Sequence, residues 1–81
     1  MNIFIGNLNY KVREGDLEQV FKQFGEVNSA RVITDRETGR SKGFGFVEMA
    51  DDSEAQEAIK ELNGKDLGGR AMVVNEAKPR N

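Results

Sequence analysis

The sequence predicts an α+β fold in which two helices cover one face of a four-stranded antiparallel sheet. Two stretches carry apolar residues at positions i, i+3, i+4 and i+7, which is the spacing of one helix face. Four short stretches are rich in β-branched or aromatic residues, as strands are. They alternate as strand, helix, strand, strand, helix, strand within 81 residues, which predicts a single domain over residues 1–81.

The first half of the chain is predicted to form a strand, a helix and a second strand. Residues 2–6 are a short β-type run that ends at turn-forming asparagines. A helix is expected from Glu14 to Phe24, with Gly25 ending it at the C′ position. Residues 27–34 are rich in β-branched types and predict the next strand. The apolar stripe of the helix consists of Leu17, Val20, Phe21 and Phe24.

The second half repeats the pattern. Residues 42–49 form a β-type run after a polar segment, which predicts a hairpin with a long loop. Asp51 and Glu54 resemble a capping box at the start of a second helix. That helix is expected to stop at Asn63–Gly64, and residues 71–75 predict the last strand. The apolar stripe of this second helix consists of Ala55, Ala58, Ile59 and Leu62.

This order of elements is that of the split βαβ, or ferredoxin-like, arrangement. Right-handed crossovers then place both helices on one face of the sheet, with the first and third strands side by side in the centre. No element remains to cover the other face, so its side chains contact solvent or a partner.

The absence of cysteine and histidine excludes several classes of function. The chain has no cysteine and no histidine, which excludes disulfides, Cys-based zinc sites and thiol catalysis and removes the commonest general base. We therefore predict a protein that is not an enzyme, with no catalytic residues, no metal, no cofactor and no small-molecule substrate. No run approaches the roughly 20 apolar residues of a membrane helix. Because a signal-peptide pattern is also missing, we predict a cytoplasmic protein without a membrane partner.

The net charge of −2 hides an uneven distribution. Residues 48–62 contain six acidic residues and one basic residue, and most of the acidic ones lie off the helix stripe, as on a solvated helix face. Residues 31–42 contain four basic and two acidic residues. The overall charge is therefore compatible with a polyanionic partner that binds away from the second helix.

Alternation along the third strand determines which residues point away from the helices. Val47 and Met49 belong to the core, so the other set of this strand points outward, and the same parity places Phe4 of the first strand outward. A one-residue slip would bury two phenylalanines, but it would expose Val47 and Met49 and leave glycines against the helices. The outward set is Phe4, Lys42, Phe44 and Phe46. Such an exposed aromatic cluster needs a partner.

The two strands that carry these rings also carry two recognisable motifs. KGFGFVEM, residues 42–49, matches the RNP1 octamer of the RNA recognition motif at seven of eight positions. IFIGNL, residues 3–8, is similar to the companion RNP2 hexamer. The chain therefore resembles the RNA recognition motif family over nearly its whole length. Met49 stands where the octamer has an aromatic residue, and alternation places that difference in the core.

The resemblance implies non-catalytic binding of single-stranded RNA by a monomer, with single-stranded DNA left open as an alternative ligand. It implies that Phe4 and Phe46 each stack on a base, that Phe44 packs against sugars and that Lys42 meets a phosphate. It also implies base contacts from the end of the last strand and beyond, at Asn75, Glu76, Ala77 and Lys78. The cations expected to border the aromatic face are Arg31, Arg36, Arg40, Lys42, Lys78 and Arg80.

Two other functions use the same fold. The rings could dock a peptide or a second protein domain, and a weak dependence of binding on salt would distinguish that function from nucleic-acid binding. Small acylphosphatases are also ferredoxin-like, but neither residues 7–12 nor GRSKGFGF, residues 39–46, contains a recognisable P-loop. Tyr10 and Arg13, in the loop after the first strand, are further candidates for ligand contact, although Tyr10 is expected to cover the edge of the core.

Overall fold

The computed structural model describes residues 1–77, and within them the chain forms two helices and six strands. The elements are β1 (Asn2–Gly6), α1 (Glu14–Lys22), β2 (Val27–Thr34), β3 (Ser41–Met49), α2 (Asp52–Leu62), β4 (Asp66–Leu67), β5 (Arg70–Ala71) and β6 (Val73–Glu76). Neither helix of this part of the chain is both long and apolar enough to cross a membrane.

The main sheet has the strand order β2-β3-β1-β6, and each pair of neighbours is antiparallel. β1 and β3 lie side by side in the centre, which confirms the predicted ferredoxin-like arrangement. On the inner face, Ile3 lies opposite Val47 and Ile5 lies opposite Val74. The strand parity predicted from alternation is therefore correct.

The core lies between the inner face of this sheet and the two helices. Its largest member, Phe21 of α1, has no exposed surface. Full burial of such a ring contributes roughly 1.5–3 kcal/mol relative to leaving it in water. Met49 is also fully buried, so the position that departs from the octamer is a packing position. The other buried apolar residues are Ile3, Ile5, Leu8, Val12, Leu17, Val47, Ala55, Ala58, Leu62, Met72 and Val74.

α1 ends two residues earlier than predicted, at Lys22. The backbone N–H of Phe24 donates to the carbonyl of Phe21 at 3.0 Å, which tightens the last turn. Gly25 does not adopt the left-handed conformation, so its predicted role as a C′ glycine was wrong. A Cβ atom at Gly25 would collide with the side chain of Glu54 in α2, so the position requires a small residue because a neighbouring helix approaches it.

α2 has the ends that the sequence predicts. The Asp51 carboxylate accepts a hydrogen bond from the backbone N–H of Glu54 at 3.0 Å, as in the first half of a capping box. The helix stops at Asn63 and Gly64, where the glycine has a φ of +85°. The Asn63 side-chain oxygen also accepts from the backbone N–H of Val74 at 3.0 Å and so links the end of α2 to β6.

The last strand starts later than predicted, because a small hairpin precedes it. β4 and β5 pair with each other around Gly68 and Gly69, whose φ angles are +64° and +92°. Two adjacent residues with positive φ form the two-residue turn that matches strand twist. The predicted strand over residues 71–75 is therefore corrected to Val73–Glu76. The Gly-Gly dipeptide was the available sequence signal for this hairpin.

Candidate nucleic-acid interface

One row of side chains crosses the outer face of the sheet from edge to edge. Phe46 lies opposite Arg31 on one side and opposite Phe4 on the other, and Phe4 also lies opposite Asn75. Residues directly opposite each other point to the same face of the sheet. The row Arg31–Phe46–Phe4–Asn75 therefore takes one residue from each strand and brings together four of the predicted site residues.

The three predicted phenylalanines form a cluster on this face. The ring centroids of Phe4 and Phe46 are 5.8 Å apart, and those of Phe4 and Phe44 are 6.0 Å apart. Phe44 and Phe46 meet edge to face at 6.3 Å. These distances are within the range of favourable aromatic pairs. Phe46 is 37% exposed, while Phe4 and Phe44 are half-buried by their neighbours, so each ring is held by the others and remains accessible.

Gly6 supports the orientation of Phe4. Its outward position lies under the Phe4 ring, because a Cβ atom there would be 3.0 and 3.2 Å from two ring carbons. The ring of Phe4 therefore leans along β1 over Gly6 instead of projecting perpendicular to the sheet. Val73, which lies opposite Gly6, is 42% exposed and extends the apolar surface onto β6.

The predicted cations of residues 31–42 are all exposed, and within residues 1–77 none of them forms an ion pair. Arg31 belongs to the row, and Lys42 lies at the start of β3 beside Phe44. Arg36 and Arg40 lie in the loop between β2 and β3, outside the row. Exposed cations without a carboxylate partner are available to phosphate groups.

The loop between β2 and β3 forms one wall of a groove of about 970 Å³. The backbone N–H of Asp35 donates to the carbonyl of Arg40 at 2.7 Å, and the N–H of Gly39 donates to the carbonyl of Asp35 at 2.7 Å. Arg40 and Lys42 line the groove, whereas Arg36 lies outside its lining. The opposite wall is the segment before α1, which includes Tyr10 and Arg13. Arg13 thus lines the same groove as two of the predicted cations.

The predicted contacts near the end of the chain are only partly described. Asn75 lies exposed in the row, while Glu76 lies opposite Ile3 and belongs to the other parity of β6. Ala77 donates its backbone N–H to the carbonyl of Asn2 at 2.8 Å. The predicted sites Lys78 and Arg80 lie outside the described residues.

Acidic side chains are concentrated on the helix side of the sheet. Asp52 and Glu57 of α2 are exposed there, and Glu48 is the acidic residue that β3 places on the outer face. Within residues 1–77, no group of three aspartate or glutamate side chains is arranged to hold a metal ion. Apart from the Glu48 carboxylate, the outer face offers rings, an amide and guanidinium or ammonium groups, which suit a ligand with flat apolar surfaces and negative charge.

The prediction for Tyr10 was wrong. The ring is 70% exposed and does not cover the core. The backbone N–H of Lys11 donates to the side chain of Asn9 at 2.9 Å, and the N–H of Val12 donates to the Asn9 carbonyl at 3.0 Å. This turn buries Leu8 and Val12 and leaves Tyr10, midway between them, pointing outward.

Arg70 is a candidate that sequence reasoning missed, because it lies in the unpredicted hairpin. Its guanidinium donates to the side-chain oxygen of Asn7 at 2.7 Å. The Asn7 amide in turn donates to the carbonyl of Ala71 at 2.8 Å, and Asn7 has a φ of +55°. Arg70 thereby reaches a recess of about 340 Å³ at the end of the sheet, which Tyr10 and Lys42 also line.

Comparison with known proteins agrees with this geometry. Residues 3–73 match the family model described as RNA recognition motif. Over 80 residues the chain is 51% identical to RbpD of Nostoc sp., named as an RNA-binding protein, and the match covers 99% of this chain and 85% of that protein. It is also 51% identical over 77 residues to glycine-rich RNA-binding protein 10 of Brassica napus, covering 95% of this chain and 46% of that protein.

A solved structure shares the fold. The crystal structure of RNA binding protein PG1 superposes with a TM-score of 0.95 at 59% sequence identity, covering 100% of this chain and 98% of that one. The family model spans most of the chain, including both strands that carry the phenylalanine cluster. The chain belongs to the RNA recognition motif family.

Proposed function

We propose that the protein binds single-stranded RNA across the outer face of its sheet. The observation that carries this proposal is the row Arg31–Phe46–Phe4–Asn75, which crosses all four strands with two adjacent rings at its centre. Phe4 and Phe46 each take one base, and Phe44 packs against the sugars between them. Arg31 and Asn75, at the two ends of the row, contact the phosphate or base edge of those nucleotides.

The chemistry of the face favours a single strand over a duplex. Stacking on an aromatic ring is worth roughly 1–3 kcal/mol per base, and every base has a π-face to offer. Bases in a duplex are already stacked on each other, whereas those of loops and ends can be splayed onto protein rings. The names of the relatives, which describe RNA-binding proteins, support RNA as the nucleic acid.

The cations supply the electrostatic part of the affinity. Lys42 meets a phosphate next to the rings, while Arg36 and Arg40 border the path of the strand. Lys78 and Arg80 add positive charge that attracts the same ligand. Two stacked bases and a few phosphate contacts amount to about −5 to −8 kcal/mol net, which corresponds to a Kd of order micromolar or weaker. The acidic helix on the other side orients the strand toward the sheet.

The test is a titration of random-sequence single-stranded RNA and of a matched single-stranded DNA pool at two salt concentrations. We expect the logarithm of the affinity for RNA to fall by about 0.7 per phosphate contact for each tenfold increase in salt. An affinity that did not change with salt would contradict RNA binding and favour an apolar protein partner. The DNA pool determines whether the 2′-hydroxyl contributes.

We further propose that residues 1–81 act as one monomeric domain that binds RNA without changing it, in the cytoplasm. The absence of cysteine and histidine from the sequence supports binding without catalysis. Light scattering with and without RNA measures the oligomeric state, and gel analysis after incubation tests whether the RNA stays intact. Cell fractionation tests the compartment.

A further inference from the structure

A second row of side chains, all of them polar, crosses three strands of the outer face. Glu48 of β3 lies opposite Ser29 of β2 on one side and opposite Asn2 of β1 on the other. All three side chains are exposed. Because residues i and i+2 of a strand share a face, Glu48 lies beside Phe46, about 7 Å further along β3. A carboxylate is therefore next to a ring that is proposed to take a base.

A bulge in β2 ends this polar row at Ser29. Ser29 lies opposite Glu48, and Val27 lies opposite Met49, so β2 has one extra residue between the two pairs. A bulge redirects the side chains that follow it. Val27 can therefore pack against the core with Met49, while Ser29 keeps its side chain on the outer face. The polar row is thus fixed by paired backbone on both sides of Glu48.

The Glu48 carboxylate keeps its full capacity to accept hydrogen bonds. Within residues 1–77 it accepts none and forms no ion pair. A carboxylate repels phosphate groups, so its position on a face that binds a polyanion lowers affinity unless it contacts another part of the ligand. The edges of unpaired bases carry N–H groups that such a carboxylate can bind. Glu48 is therefore suited to contact a base.

The chemistry of a carboxylate distinguishes the four bases. Its two oxygens accept hydrogen bonds and cannot donate them. Guanine has two adjacent N–H donors on its Watson–Crick edge, at N1 and at the 2-amino group, so it can satisfy both oxygens at once. Adenine and cytosine have one amino group next to an accepting ring nitrogen, and uracil has one N–H between two carbonyls. Each of these three bases would place an acceptor against the second oxygen.

We propose that Glu48 selects guanine for the base that stacks on Phe46. The carboxylate accepts from N1–H and from the 2-amino group, and the neighbouring donors of Asn2 and Ser29 serve the 6-carbonyl. This inference rests on the proposed function, because it names the base that is preferred at one position of the RNA path. The RNP1 octamer admits any residue at the position of Glu48, so the preference belongs to this chain and not to the motif.

The experiment compares single-stranded RNA ligands that differ at one base. The ligands are a short oligouridine and three versions of it that carry guanine, adenine or inosine at one central position. We expect the guanine ligand to bind roughly 5- to 150-fold more tightly than the adenine ligand, as for one bidentate contact. Inosine lacks the 2-amino group and should bind less tightly than guanine. Glu48→Gln should bring the ratio of guanine to adenine affinity close to one without weakening the binding of oligouridine.

Glu57→Gln is the matched control, because it makes the same change at an exposed position of α2, on the other side of the sheet. This variant should keep the guanine preference, and both variants should keep the Tm of the parent. The proposal is overturned if the parent does not prefer guanine, if Glu48→Gln keeps the preference, or if Glu48→Gln weakens all four ligands equally. The proposed function fails separately, if Phe46→Ala leaves the binding of oligouridine unchanged.

Discussion

The two faces of the main sheet come from the same strands and differ in what lies against them. On the inner face, alternate residues such as Ile3 and Val47 are fully or almost fully buried under α1 and α2. On the outer face, their chain neighbours Phe4 and Phe46 contact other rings and keep exposed surface. The inner residues therefore determine whether the chain folds, and the outer residues determine what the folded chain binds.

The largest expected effect comes from breaking the inner face. Phe21→Ala removes a fully buried ring, so we expect a loss of roughly 3–5 kcal/mol from the free energy of unfolding. Such a loss is most or all of the stability of a domain of this size, so we expect a much lower Tm and a large unfolded fraction. Thermal melting followed by circular dichroism measures this loss.

Phe46→Ala is the matched truncation on the outer face. We expect it to keep a Tm close to that of the parent, while RNA affinity falls by the roughly 1–3 kcal/mol of one stack. Phe4→Ala should behave in the same way. If Phe46→Ala melted as Phe21→Ala does, the separation of the two faces into stability and binding would be wrong.

Gly6→Ala sharpens the comparison, because it disturbs the outer face without removing a ring. The new methyl group would press on the Phe4 ring and push it from its preferred rotamer, which costs about 1 kcal/mol. We expect a corresponding loss of RNA affinity with the fold intact. Gly15→Ala is the control, since a Cβ atom there meets no other group within 4 Å. Equal RNA affinities for the two variants would contradict the role of Gly6.

The smallest expected effect concerns charge on the outer face. Lys42→Ala should reduce the salt dependence of RNA binding by about 0.7 in logarithmic slope, the contribution of one phosphate contact. Lys22→Ala removes the same charge from an exposed position on α1 and should leave the slope unchanged. Titrations of both variants over a range of salt concentrations measure the difference, and equal slopes would exclude a phosphate contact at Lys42.

The fold and the row of side chains could be predicted from sequence because each depends on short repeating patterns. Alternation along β3 placed Phe44 and Phe46 on one face of the sheet and Val47 and Met49 on the other. Only one of the two possible parities supplied apolar residues to face the helices. The neighbouring positions of β1 and β3 followed from the order of elements. These predictions rest on periodicity, which a single sequence displays directly.

The missed features depend on contacts between distant parts of the chain. Position 25 has no room for a Cβ atom because the side chain of Glu54, far along the chain, lies against it. Tyr10 is exposed because Asn9 reverses the backbone and bonds to the hairpin at Gly68. Arg70 reaches the recess through Asn7, which is 63 positions away. No local pattern around these residues indicates such partners, although the Gly68–Gly69 pair did indicate a turn.

The row across the outer face has a thermodynamic consequence. Its four residues come from four strands and span the chain from Phe4 to Asn75, so the ligand surface is complete only when the entire sheet has formed. An unfolded or partly unfolded chain lacks this surface, so RNA binds the native state more tightly and stabilises it by mass action. At a free RNA concentration about 100 times the Kd, this linkage adds about 2.7 kcal/mol to the free energy of unfolding, which is comparable to the burial of a core side chain.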